Sequence, residues 1–263
     1  MCGRYTLANG EQILEVVPNV TLKEDLRTLV GRWNIAPSQD IPVVANREEE
    51  GHPVAEAMRW GLVPSWAKDA SVGNKMINAR AETLPTKPAF RKALERRRCV
   101  IPADGFYEWR KSPDGKTKQP LYIRMKDGHP FAFAGLWETW RDEQGNLLKT
   151  CTIITTEPNA LMATIHNRMP VILPREAVLD WLDPTPRNPD EVAAWLKPYP
   201  AEEMEAVPVG RLVNNPKNEG PDLIKCVASP AADDAGEPPA PPKPGGRNSS
   251  RKPKHADDQG SLF

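Results

Sequence analysis

The sequence predicts an α+β fold with a mainly antiparallel β core, flanking helices and a disordered C-terminal tail. Three observations predict it. Short β-branched or aromatic runs follow one another through tight turns, which favours antiparallel pairing over crossover connections. Several helical stretches open at or near a proline, which the first helical turn tolerates well. From Ser229 to Ser261 there is no Ile, Leu, Val, Met or aromatic side chain.

The elements can be justified in chain order. Residues 87–98 read as a helix that begins at a proline and ends in Arg96-Arg97-Arg98. Those three cations suit a solvated helix end, where the dipole favours positive charge. Residues 99–103 (CVIPA), 121–125 (LYIRM), 131–137 (FAFAGLW) and 150–156 (TCTIITT) read as strands. They are short, β-branched or aromatic, and bounded by Gly, Pro or Asp. Ser112-Pro-Asp-Gly, Asp127-Gly128 and Asp142-Glu-Gln-Gly145 mark turns. Residues 158–165, 174–182 and 189–196 read as helices. Residues 2–228 therefore form the folded domain. Residues 229–258 are a proline-rich linker, which cannot bury enough apolar surface to offset its ordering entropy. Residues 259–263 restore two large apolar side chains.

Charge narrows the function. Lys plus Arg and Asp plus Glu both number 35 among 263 residues. No global field draws such a chain onto nucleic acid, so any DNA contact must be local, specific or covalent. No basic segment followed by an apolar run opens the chain, and no stretch approaches eighteen apolar residues, so a cytoplasmic protein with no membrane contact is expected. Cys2, Cys99, Cys151 and Cys226 are far apart and include no C-x-x-C pair. Free thiols, with no zinc site, are the simplest reading.

The chain opens Met1-Cys2-Gly3-Arg4-Tyr5. Initiator methionine is removed when the next residue is small, and removal here would leave Cys2 with an α-amine and a thiol on adjacent carbons. The amine condenses with an aldehyde to an imine. The thiolate then closes a five-membered thiazolidine. At pH 7 roughly a tenth of an ordinary α-amine is free base, and about 3% of an ordinary thiol is thiolate. Taken alone, a cysteine at position 2 is equally an early strand residue.

Four further segments change that. Asn34-Ile-Ala-Pro37 follows Arg32-Trp33. Trp60-Gly-Leu-Val-Pro-Ser-Trp66 leads to Ile77-Asn78-Ala79-Arg80-Ala81-Glu82-Thr83. Asp104-Gly105-Phe106-Tyr107-Glu108-Trp109 and Ile165-His166-Asn167-Arg168-Met169-Pro170 follow. With the opening segment and Val213-Asn214-Asn215-Pro-Lys217-Asn218-Glu-Gly220, these resemble the SOS response-associated peptidase (SRAP) family. The resemblance spans Cys2 to about Val227. It implies a barrel-like β core and the shielding of abasic sites in single-stranded DNA through a thiazolidine on the N-terminal cysteine. No cofactor is implied. Carried over by motif, the catalytic residues are Cys2, Asn78, Glu108 and His166. Glu108 suits proton transfer if burial beside Phe106, Tyr107 and Trp109 raises its pKa. His166 titrates near neutrality and can shuttle a sugar proton. Asn78 can hold the amine or the sugar without charge. Singly, each of these three also reads as an ordinary structural residue.

A DNA backbone needs cations, and exposed bases need flat faces. Arg4, Arg80 and Arg168 each follow a candidate catalytic residue by two positions, which on a strand puts them on the same face. Trp66 and Pro37 are candidates for stacking or wedging, and the resemblance adds Thr155 as a polar sugar–phosphate contact. Trp60, Trp109 and Trp137 suit the core.

The chain ends Gln259-Gly260-Ser261-Leu262-Phe263. This resembles the Q-L-S/D-L-F peptide by which bacterial proteins dock on the replicative sliding clamp, with Gly260 where leucine is usual. Gln259, Leu262 and Phe263 are the clamp-binding candidates, and replication forks in the nucleoid the expected place of work. Three rivals stand beside this reading. One is an N-terminal-nucleophile amidotransferase, which shares the Met-Cys-Gly start. Another is a cysteine peptidase using Cys2, His166 and Asn78. The third is a non-covalent reader of single-stranded or modified DNA.

Overall fold

The computed structural model describes residues 2–47, 50–112 and 114–227. Its strands in chain order are β1 (Tyr5–Leu7), β2 (Thr21–Leu22), β3 (Arg32–Ile35), β4 (Asp40–Asn46), β5 (Pro53–Trp60), β6 (Asn78–Arg80) and β7 (Arg98–Ala103). They continue as β8 (Gly105–Lys111), β9 (Lys118–Met125), β10 (Phe131–Arg141), β11 (Leu147–Thr156), β12 (Met169–Pro170), β13 (Ile172–Leu173) and β14 (Met204–Pro208). The helices are α1 (Gln12–Val16), α2 (Pro88–Arg96), α3 (Ala160–Ala163), α4 (Val178–Leu182) and α5 (Pro189–Ala193). Short 3-10 turns fill many of the connections.

Five strands close on themselves. β11 pairs with β10, β10 with β7, β7 with β4 and β4 with β5, all antiparallel. β5 then returns to β11 in parallel, with Thr150 opposite Arg59 and Cys151 opposite Trp60. Closure leaves no long edge among the five. A second sheet runs β14-β9-β8-β1-β3. The expected antiparallel α+β architecture, with its barrel, is what the chain adopts.

The two sheets share one aromatic core. Tyr5 of β1 stands edge-on to Trp60 of β5 at 5.5 Å and to Phe133 of β10 at 5.9 Å. Phe106 of β8 meets Phe133 at 5.9 Å. Edge-to-face pairs of this kind contribute about 0.5–1.5 kcal/mol each beyond their buried area. β7 is buried along its whole length, which explains its unbroken apolar reading.

All four expected strands form, and β10 and β11 run beyond their expected bounds. Gly115 and Gly145 take positive φ in the hairpin turns that the sequence marks. The helices are shorter than expected. α3 is one turn, capped by Asn159, whose Oδ1 accepts the Met162 N–H at 2.8 Å. α4 forms only after a 3-10 turn over Arg175–Ala177. α5 opens with a capping box between Asn188 and Glu191 and stops at Ala193.

Arg98 corrects the reading of the basic run. It is not on a solvated helix end: α2 stops at Arg96 and Arg98 begins β7, 2% exposed. Its Nε donates to the Trp181 carbonyl and its Nη1 to the Leu94 carbonyl, both at 2.9 Å. Arg97 pairs with Glu138 at 2.8 Å. The guanidiniums of Arg97 and Arg98 hold the end of α2 to the barrel. Of the tryptophans read as core, Trp60 is fully buried and Trp109 and Trp137 partly so.

Candidate active site

The first residues of the chain are drawn under the surface. Tyr5 and Thr6 pair with Phe106 and Gly105 of β8, and the Tyr107 N–H donates to the Arg4 carbonyl at 2.9 Å. Cys2 is fully buried, and its carbonyl accepts the Nδ2 of Asn78 at 2.8 Å. Burial pushes the Cys2 thiol well above its ordinary value, and the negative charge of Glu108 adds to the rise. The Arg4 backbone N–H opposes it weakly.

Asn78 opens β6, which lies parallel to β11 with Asn78 opposite Ile153 and Arg80 opposite Thr155. The Trp60 indole N–H donates to the Ile77 carbonyl at 2.8 Å and fixes the entry to the strand. The Oδ1 of Asn78 is buried and has no hydrogen-bond partner among the described residues. Such an acceptor is costly unless a ligand meets it. Glu108 lies on β8 opposite Leu121 and is 4% exposed.

His166 follows α3. Its N–H donates to the Met162 carbonyl at 2.8 Å, and its Nδ1 accepts the Arg168 N–H at 3.1 Å. That second bond leaves the proton of the neutral ring on Nε2. Beyond it, β12 pairs with β11, placing Pro170 opposite Thr155. The segments carrying Asn78 and His166 therefore meet β11 at one residue, Thr155.

The three arginines differ. Arg80 is exposed at the end of β6. Arg168 forms a two-toothed pair with Glu82, at 2.6 and 3.0 Å, and also donates to the Thr155 carbonyl at 2.6 Å. The Arg168 hydrogen bond holds the Glu82 carboxyl below its usual range. Arg4 is half-buried. Its Nη1 donates to Asn34 Oδ1 at 2.7 Å and to the Val213 carbonyl at 2.8 Å. Its guanidinium lies 5.7 Å from the centre of the Trp109 ring. The expectation that all three follow a strand residue by two positions holds only for Asn78 and Arg80. Cys2–Arg4 and His166–Arg168 are not strands.

Thr155 is fully buried, with its hydroxyl 3.5 Å from the Ala79 carbonyl, and its own carbonyl accepts from Arg168. Trp66 is 65% exposed. Its loop is pinned where the Trp140 indole donates to the Ala67 carbonyl at 2.7 Å and where the Val63 N–H meets Thr150 Oγ1 at 2.9 Å. Pro37 is half-buried in the turn between β3 and β4. Gln259, Leu262 and Phe263 lie outside the described residues.

Sequence reasoning missed the supports. Asn34 is buried and also donates from Nδ2 to the carbonyls of Asn215 and Asn218, both at 2.9 Å. The Trp109 indole donates to Asn214 Oδ1 at 2.7 Å, and the Tyr107 hydroxyl to the Trp33 carbonyl at 2.9 Å. Three quoted motifs thus converge on one guanidinium. The signal was present, since each of these residues lies inside a motif. Among the described residues no group of three His, Cys, Asp or Glu is placed to hold a metal ion.

Comparison with known proteins adds to this geometry. A family model described as SOS response associated peptidase (SRAP) matches residues 1–216. The abasic site processing protein YoqW of Bacillus subtilis is 48% identical over 227 residues, covering 86% of this chain and 99% of that protein. The abasic site processing protein YedK of Escherichia coli is 30% identical over 232 residues, covering 86% of this chain and all of that protein. A crystal structure of a protein from Bacteroides thetaiotaomicron superposes with a TM-score of 0.76 at 27% identity, covering 86% of this chain and 100% of that one.

Proposed function

This chain belongs to the SOS response associated peptidase family, and we propose that it processes abasic sites in single-stranded DNA by bonding to them covalently through Cys2. The observation that carries this reading is the setting of Cys2: buried, held by its carbonyl to Asn78, and within the field of Glu108.

The reaction balances as a condensation. With Met1 removed, the Cys2 α-amine adds to the ring-opened sugar aldehyde, and the carbinolamine loses water to give an imine. The sulphur then adds to the imine carbon, its proton passes to the nitrogen, and a thiazolidine remains. One water leaves overall. The resting thiol is held protonated, so sulphur attack needs an acceptor for its proton. Glu108 is the acceptor, and it hands that proton on to the nitrogen as the ring closes. His166, with its proton on Nε2, donates to the ring oxygen of the closed sugar during opening. Asn78 supplies an uncharged acceptor in Oδ1 for the amine or a sugar hydroxyl. Arg80 and Arg168 meet phosphates, Glu82 giving way at Arg168. Trp66 and Pro37 stack on or wedge the flanking bases. The route uses only the α-amine and side chains of this chain.

The test is a denaturing gel of purified protein incubated with single-stranded DNA carrying one abasic site. A denaturant-resistant adduct is expected, with an intact mass equal to protein lacking Met1 plus DNA minus water. Cys2→Ala should abolish it, and so should an N-terminal extension that keeps the thiol but blocks the amine. An adduct formed with Met1 still attached would falsify the mechanism. A Cys2→Ala variant that binds abasic and intact strands alike, with wild type also forming no adduct, would point to a non-covalent reader.

We further propose that Gln259, Leu262 and Phe263 recruit the protein to the sliding clamp. Two large apolar side chains on a long polar tether suit a groove-binding anchor. Loss of clamp binding in a pull-down is expected on Leu262→Ala with Phe263→Ala. Unchanged binding would end the idea.

A further inference from the structure

The hairpin of β8 and β9 carries charge that the site does not use. Between Trp109 and Gln119 stand Arg110, Lys111, Lys116 and Lys118 against one acid, Asp114, a net of +3 in a chain whose formal net charge is +0. Asp114 is committed to the turn, where it accepts from the Ser112 hydroxyl and from the Lys116 N–H at 3.1 Å. All four cations are exposed.

Register makes the concentration sharper. Lys111 lies directly opposite Lys118. Like charges in that position repel and destabilise a strand pair. Among the described residues Arg110, Lys111 and Lys118 make no ion pair with a carboxylate. The surface there is concave. Two open depressions of about 490 and 350 Å³ share Thr117, Lys118 and Arg211. The larger reaches Trp109, whose indole packs on Arg4, and the smaller takes in Arg110 and Lys111. Along β8, Lys111 stands three residues from Glu108, about 10 Å at strand rise. A basic, concave track with an aromatic face at its inner end is what a sugar–phosphate backbone fits.

We propose that this hairpin face is a second, non-covalent docking surface for DNA, which holds phosphates of the strand flanking the reacting nucleotide. It rests on the reading of Cys2 above only for which nucleotide reacts. Phosphates entering between Lys111 and Lys118 relieve the repulsion that the fold otherwise carries.

The test uses the full chain with Arg110→Gln, Lys111→Gln and Lys118→Gln combined, and Lys118→Glu alone as a second variant. Binding of intact DNA is followed by fluorescence anisotropy against salt. The probes are a long single strand, the same strand paired on its 5′ or its 3′ side, and an oligonucleotide of about five residues. The triple variant should bind the long probes about tenfold more weakly at low salt, with a log–log salt slope lower by about 2 for single strands, three contacts at about 0.7 each. Adduct formation with the short abasic oligonucleotide should match wild type. The paired probe that loses most affinity tells which flank, and whether duplex or single strand, lies on the hairpin. Unchanged affinity and slope in both variants, with melting temperatures intact, overturns the surface. Absence of any wild-type adduct, with the slope still lowered in the triple variant, overturns the Cys2 reading and leaves the surface standing.

Discussion

Asn34 makes more of the site than its place in a short motif suggests. Its amide, itself fully buried, accepts from Arg4 and donates to the carbonyls of Asn215 and Asn218. Asn34→Ala strands those groups together, and at 1–3 kcal/mol for each unsatisfied buried group the cost should be about 3 kcal/mol. Thermal unfolding checks it, and the adduct rate should fall with it as Arg4 loosens. A melting temperature within a degree or so of wild type would refute the anchoring role. The thiols give a second prediction. Cys226 is exposed, whereas Cys2, Cys99 and Cys151 are buried. Iodoacetamide at neutral pH should label Cys226 first, and Cys2 labelling should accelerate as pH rises, because burial and Glu108 hold that thiol protonated. Peptide mapping showing Cys2 labelled first at neutral pH contradicts this. At this scale Cys2, Asn78, Glu108 and His166 were legible as candidates, because their motifs carry them. Asn34 was not, since its motif assigns it no role and its partners lie about 180 residues away.

At the level of elements, β8 depends on an absent side chain. A Cβ on Gly105 would lie 2.2 Å from the Tyr122 ring, which bonds the Thr6 hydroxyl at 2.9 Å. Gly105→Ala should cost about 1–3 kcal/mol by overpacking and shift β8, hence Glu108, with it. Denaturant unfolding reads the first effect and adduct yield the second. On β5, Glu56 is 4% exposed and answers Lys23, Arg47 and Lys149. Removing its charge leaves three cations facing each other, so Glu56→Gln should destabilise by about 3 kcal/mol. Lys149 itself is pushed down to about 8 by burial, then by Arg47 and Lys23, because three cations share one carboxylate. The sign follows: the unfolded chain binds a proton there between about 8 and 10.4 that the fold does not, so this group favours the fold more as pH rises through that window. The four strands β7, β9, β10 and β11 were legible by composition and turn chemistry. β4 was not, because Pro42 interrupts its apolar run. The helix ends were overextended because 3-10 turns share the prolines and apolar spacing of true helices.

Taken as a whole, the fold should be sensitive to alkali. Burial raises the thiols of Cys2, Cys99 and Cys151. An acid whose folded pKa is raised keeps its proton after the unfolded chain has lost it. Its full contribution is present below about pH 8.5 and declines above, by about 1.4 kcal/mol per pH unit for each thiol. Three such thiols outweigh Lys149, which is partly exposed. Stability measured by urea unfolding should therefore fall between pH 9 and 10, and a flat or rising profile would contradict the burial of the three. The barrel-like architecture was legible only through the family resemblance, because ring closure between Cys151 and Trp60 leaves no local trace. The same long-range wiring governs how the molecule comes into being. β1 lies between β8 and β3 in its sheet, and Arg4 waits for Val213, 209 residues downstream. On a ribosome Cys2 and Arg4 emerge long before Val213, so the contacts that hold Arg4 close late. The aldehyde trap that we propose at Cys2 would be completed only after that segment has been made.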